Sequence, residues 1–200
     1  CDWSSDVCSS DLSALRMVYL TSKTDSHLKR GRFGRGFKEI LSIATSARAV
    51  SGGAAIDFYV ADGERRMRRH KQWPPFKGTL IEMSFAWPAD TIDAFDRYFA
   101  QFLPPTNARF KVNGRIVPSR PVRHLVEATL TTEVYDASTH AWRKPTRKTN
   151  IELIPIAEGE APFLYEMGIP VSSVEWTQPY HANILQRVPM NPNRDALASG

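Results

Sequence analysis

"RGRFGRGFKEIL", residues 30–41, sets three glycines and four cations into twelve positions and then turns apolar. Phe37, Ile40, Leu41 and Ala44 fall at i, i+3, i+4 and i+7, which predicts a helix opening at about Gly36. Glycine reaches positive φ and lets backbone approach a ligand closely. A helix start directs unpaired N–H groups and the positive end of its dipole at whatever precedes it. Arg32, Arg35 and Lys38 add charge at the same place, so the stretch suits an anion. It is neither common phosphate motif. Gly31 and Gly36 have P-loop spacing, but Phe37 stands where the lysine belongs. The order G-x-x-G-x-G also departs from the dinucleotide fingerprint G-x-G-x-x-G. Glycine spacing alone leaves a phosphate cradle and a structural loop both open.

Outward from this stretch the pattern alternates between short strands and helices. "ALRMVYL" (14–20) is a short apolar segment, read as a helix end. "ARAVSGGAAIDFYVAD" (47–62) predicts two strands around Gly52-Gly53, and "ERRMRRHKQW" (64–73) a basic strand or loop. "GTLIEMSFAW" (78–87) alternates as a strand. Asp90 then reads as an N-cap for a helix with the stripe Ile92, Phe95, Phe99 and Phe102, stopped by Pro104-Pro105. "RFKVNGRIVP" (109–118) is a hairpin around Asn113-Gly114. Beyond it, "VEATLTTEVYD", "KTNIELIPI" and "HANILQRV" read as strands, and "APFLYEMG" (161–168) as a short helix capped by Gly168 and ended by Pro170. Pro118 and Pro121 interrupt the pattern, which places a domain boundary near 116–124. The fold class expected is α+β in two pieces.

Two hundred residues with 42% hydrophobic and 24% charged content can bury a sizeable core. No apolar run approaches a membrane span, so no membrane partner and a cytoplasmic location are expected. Residues 1–12, "CDWSSDVCSSDL", read as a translated sequencing-library adapter and are set aside. Cys1 and Cys8 then drop out, leaving no native cysteine for disulfides, metal ligation or nucleophilic chemistry. Removing Asp2, Asp6 and Asp11 raises the formal net charge from +5 to +8. That balance keeps polyanions in view, and five Arg/Lys residues concentrate in 64–71 as a candidate nucleic-acid contact. The same residues would equally serve as a solvated strand edge. Trp73, Phe76, Phe85 and Trp87 read as core, and the five histidines have no metal-ligand spacing.

"GRFGRGFKEILSIA", preceded by "LTSKTDS", resembles the second glycine box of the GHKL ATPases (gyrase, the ninety-kilodalton heat-shock chaperone, histidine kinases and MutL). In that superfamily G-x-[FLY]-G-x-G-x-[KYS] forms a lid over the triphosphate, and Gly31, Phe33, Gly34, Gly36 and Lys38 match it. The resemblance implies that 31–38, including Arg32, Arg35 and Phe37, binds ATP, and that Thr79 of Gly78-Thr79 helps hold the adenine end. Pro189, Met190, Asn191, Pro192, Asn193, Arg194, Asp195 and Leu197 are similar to the chaperone segment P-L-N-x-S-R-E-x-L, with Met for Leu, Asn for Ser and Asp for Glu. On that likeness Arg194 is the γ-phosphate cation. Arg187 is the second choice, because Gln186-Arg187 resembles the Gln-x-Lys loop of gyrase-like transducers.

The architecture implied is the C-terminal half of a Bergerat-type α/β sandwich over 13–118, followed by an S5-like α+β transducer domain over 119–200. The resemblance further implies ATP with Mg²⁺ and a homodimer formed on nucleotide binding. The superfamily's catalytic Glu, its Mg²⁺-binding Asn and its Asp-x-Gly-x-Gly box would lie upstream of the lid. The chain by itself is therefore expected neither to bind ATP tightly nor to hydrolyse it. The rival expectation is a non-enzymatic basic module that contacts nucleic acid through 64–71 and 109–123.

Overall fold

The computed structural model describes residues 27–28, 36–70, 72–136 and 138–190. Strands dominate: two helices and thirteen strands are assigned among the described residues. The chain divides into two compact units between Thr91 and Ile92, and residues 27–28 and 116–124 both belong to the second.

In the first unit α1 (Gly36–Ile43) leads into β1 (Ser46–Gly52), β2 (Ala54–Ala61), β3 (Glu64–His70) and β4 (Phe76–Ser84). They form an antiparallel sheet in the order β3-β2-β1-β4. Side chains alternate across a pleated sheet, so the register sorts them into two faces. Ala47, Ala49, Ile56, Phe58, Ile81 and Met83 share one face, with Ile56 at the centre of its core. Arg48, Asp57, Arg68 and Glu82 lie in one row across the other. The basic stretch 64–70 is thus a strand, and an outer one.

The second unit holds most of α2 (Ala89–Ala100), whose Phe95, Phe99 and neighbouring Phe102 pack ring to ring with Phe110. Phe110 roots the hairpin of β5 (Lys111–Val112) and β6 (Arg115–Ile116). Asn113 and Gly114 turn it with φ of 49° and 78°, the mirror-image turn that Asn-Gly favours. Next come β7 (His124–Thr131), the small pair β8 (Val134–Asp136) and β9 (Ala141–Arg143), and β10 (Thr146–Pro155). They are followed by β11 (Phe163–Glu166), β12 (Ile169–Ser173) and β13 (Tyr180–Ile184). The large sheet runs β12-β11-β13-β10-β7, all antiparallel except β11 against β13.

The expected α/β sandwich and α+β second domain are corrected by this strand content. The largest change is at 161–168, expected as a helix and found as strand β11. Leu164 packs into a cluster with Val171, Ala182 and Ile184, whereas Tyr165 packs with Leu103 and Ile154. Adjacent residues facing separate cores is a period of two, which no helix provides. Met167 and Gly168, with φ of 49° and 83°, turn a hairpin rather than cap a helix. Pro170 continues that hairpin opposite Tyr165, in an outer strand where its missing N–H costs no ladder bond. The segment 14–20 lies outside the described residues.

Candidate functional site

The glycine segment meets the described chain only at its end. Gly31, Arg32, Phe33, Gly34 and Arg35 lie outside the described residues, while Gly36, Phe37 and Lys38 form the first turn of α1. The other end of α1 is tied to the sheet. The Arg65 guanidinium donates from β3 to the carbonyls of Leu41 (2.8 Å) and Ala44 (2.9 Å), which a helix leaves without partners. Thr45 N–H donates to Ser84 O at 2.8 Å.

Thr79 lies on β4 opposite Ser51, on the apolar face, with the two hydroxyls 3.3 Å apart. Gly78 beside it has φ of 98°, a conformation that a side chain would strain. Thr79 and the start of α1 therefore belong to one unit.

Arg187 belongs to the other unit and is wholly buried. Its guanidinium donates to Glu133 O at 3.0 Å and lies 5.8 Å from the centre of the Trp142 ring. Its N–H donates to His27 O, and its carbonyl accepts from Thr132 Oγ1 at 2.7 Å. Gln186 is equally buried and donates from Nε2 to Leu130 O at 3.2 Å, while its Oε1 has no hydrogen-bond partner. Burial, with the charges of Arg147 and Arg187, depresses the pKa of the nearby His27 imidazole. Arg194 lies outside the described residues.

The basic strand is largely committed within its own unit. Arg65 caps α1, Arg66 donates to Asp62 Oδ2 at 2.9 Å, and Arg68 lies 5.6 Å from the centre of the Tyr59 ring. His70 Nε2 is 2.9 Å from Asp57 Oδ2, which shares that carboxylate with the Arg48 guanidinium. The Arg48 hydrogen bond, with that of His70, holds the Asp57 carboxyl below its ordinary range. In 109–123, Arg120 is likewise taken, by Glu160.

Sequence reading missed a second polar cluster. Arg120 grips both oxygens of Glu160 (3.1 and 2.9 Å), and His181, 3% exposed, stands beside them. His181 Nδ1 accepts the Phe163 N–H at 3.1 Å, so the ring proton sits on Nε2, 3.2 Å from Glu160 Oε2. Burial and then the charge of Arg120 lower the His181 pKa, so the imidazole is held neutral. For Glu160 burial alone would raise the pKa, but the Ala157 N–H, Arg120 and His181 together bring it to about 2. Burial pushes the Tyr165 phenol up to about 12. On the same side of the sheet Asn183 Oδ1 accepts the Gly168 N–H and Nδ2 donates to Glu152, both at 2.7 Å. These partners lie 15 to 61 positions apart, so no local pattern could have flagged them. A neutral imidazole, an ion-paired carboxylate and a protonated phenol make this cluster a brace rather than an acid–base pair.

Among the described residues no three His, Cys, Asp or Glu groups come together as a metal site, and no helix is long and apolar enough to cross a membrane. The chain matches no model of a known protein family, and no curated protein matches it.

Proposed function

We propose that the chain is part of an ATP-binding protein of the GHKL type, in which ATP binding and hydrolysis drive movement between domains. The observation that carries the reading is the order of elements in the first unit. The glycine segment runs straight into α1 at Gly36, an antiparallel hairpin and strand follow, and Gly78-Thr79 comes on the next strand. Thr79 also points to the sheet's apolar face. Amides at the start of α1, with Lys38 and the cations of 31–35, would hold phosphates there. Arg194, within the Pro189–Leu197 segment, is assigned to the γ-phosphate, where a guanidinium stabilises charge as it spreads in phosphoryl transfer. Arg187 is assigned a packing role, because its guanidinium is buried against Glu133 and Trp142. Mg²⁺ would bridge the phosphates, and no described residue of this chain is assigned to hold it. A homodimer on nucleotide binding and a cytoplasmic location accompany the reading.

The test is ATP turnover in a protein carrying the whole site. Gly36→Ala together with Arg194→Ala should lower phosphate release by about 1,000-fold or more. Turnover unchanged by the pair overturns the proposal. The 200-residue chain alone should bind a fluorescent ATP analogue only weakly.

A further inference from the structure

We propose that this chain associates with a second copy of itself by antiparallel pairing of β7 along its free edge. An outer strand presents unpaired N–H and C=O groups that template another strand unless something blunts them. Three of the four outer strands of the two larger sheets are blunted. β3 carries four arginines, β12 is five residues long and holds Pro170, and β4 faces a register shift at Ser51/Gly52 and contains Gly78 with its positive φ. β7 has none of these devices. It runs for eight residues, "HLVEATLT", with no lysine, arginine or proline and an unbroken register against β10.

β7 also exposes apolar side chains. Leu125 is 60% exposed, Val126 43% and nearby Val122 45%. The ladder fixes which backbone groups are free. Thr132 N–H donates to Pro145 O, so Thr132 faces β10, and alternation turns Leu125, Glu127, Thr129 and Thr131 outward.

A two-fold pairing must be centred on one outward residue, and charge selects which. Centred on Leu125, Arg123 of each copy stands opposite Glu127 of the other, and the two Leu125 side chains meet on the axis. Centring on Glu127 sets two carboxylates face to face, and centring on Thr129 brings no opposite charges together. Arg123 has no acidic partner within the chain, and Glu127 has Lys148 at 3.1 Å in a pair exposed to solvent. Two strands alone bury less than the roughly 1,200 Å² of a stable interface, so the association is concentration-dependent. It stands whether or not the chain binds ATP.

The experiment is sedimentation of the 200-residue chain with Cys1 and Cys8 replaced by Ser. Dimer should grow with concentration. Arg123→Glu and Glu127→Arg should each weaken it by about tenfold, since either change turns two cross-strand attractions into repulsions. The double variant carrying both should return to near the parent value. In the same background Leu125→Cys should form a disulfide-linked dimer on oxidation. Thr131→Cys should not, because its two copies stand about 40 Å apart in this register. A chain that stays monomeric, single variants without effect, a double variant that fails to recover, or equal cross-linking at the two positions each overturns the proposal.

Discussion

The outer strands β3 and β7 end their sheets in opposite ways. β3 is the most basic stretch of the chain, yet Arg65 caps a helix, Arg66 meets Asp62, Arg68 lies by Tyr59 and His70 meets Asp57. β7 is nearly uncharged and leaves Leu125 and Val126 in water. A run of cations on an edge is therefore turned inward to its own sheet, and the plainer strand is the one left seeking a partner. The two sheets differ behind their edges as well. The one ending in β3 keeps its ion pairs at the surface, whereas the one ending in β7 buries Asn183, His181, Gln186 and Arg187.

That contrast is breakable by substitution, with urea unfolding as the measure. The largest effect belongs to the buried network. Asn183→Leu leaves the Gly168 N–H and a Glu152 oxygen without partners and should cost about 3 kcal/mol. Arg65→Ala, which frees two helix carbonyls at a partly open site, should cost about 1 kcal/mol. A loss from Arg65→Ala as large as that from Asn183→Leu would erase the difference between the sheets. Arg69→Ala, in the same basic strand but without a partner, should stay within about 0.5 kcal/mol of the parent.

Acid sharpens the comparison further. The Glu160 pKa is depressed in the folded chain, so its contribution is present above the ordinary value of 4.5 and is lost as pH falls toward about 2. The side chain is 41% exposed, so solvent screening keeps the effect small. Glu160→Gln should flatten the fall in unfolding midpoint across that window, and a slope identical to the parent's would show that the cluster contributes nothing. His181 adds a second acid-sensitive step. Its folded pKa is lowered, so stability declines as pH drops below the ordinary 6.5.

What the sequence disclosed was local. The hairpin at Asn113-Gly114, the helix from Gly36 and the aromatic stripe of α2 each follow from turn chemistry or a single periodicity. What it concealed was set by distant partners. "APFLYEMG" carries apolar residues close enough together to pass for a helical face, and only the two separate clusters around Leu164 and Tyr165 make it a strand. β9, three residues long, is too short for periodicity to reveal. Arg187 looks like any basic residue after an apolar strand, and only its enclosure by Thr132, Glu133 and Trp142 distinguishes it. The mostly antiparallel architecture was missed for the same reason, since strand pairing is not written within one strand.

One feature of the strand order governs the timing of assembly. β13, made last, sits in the middle of its sheet, between β11 and β10. On a translating ribosome the hairpin of β11 and β12 emerges with nothing to join it to β10, and it must wait for Tyr180–Ile184 to be synthesised and slotted in. The unit therefore condenses in a late step dominated by long-range closure, and until then the bare flank of β7 is open to neighbouring nascent chains.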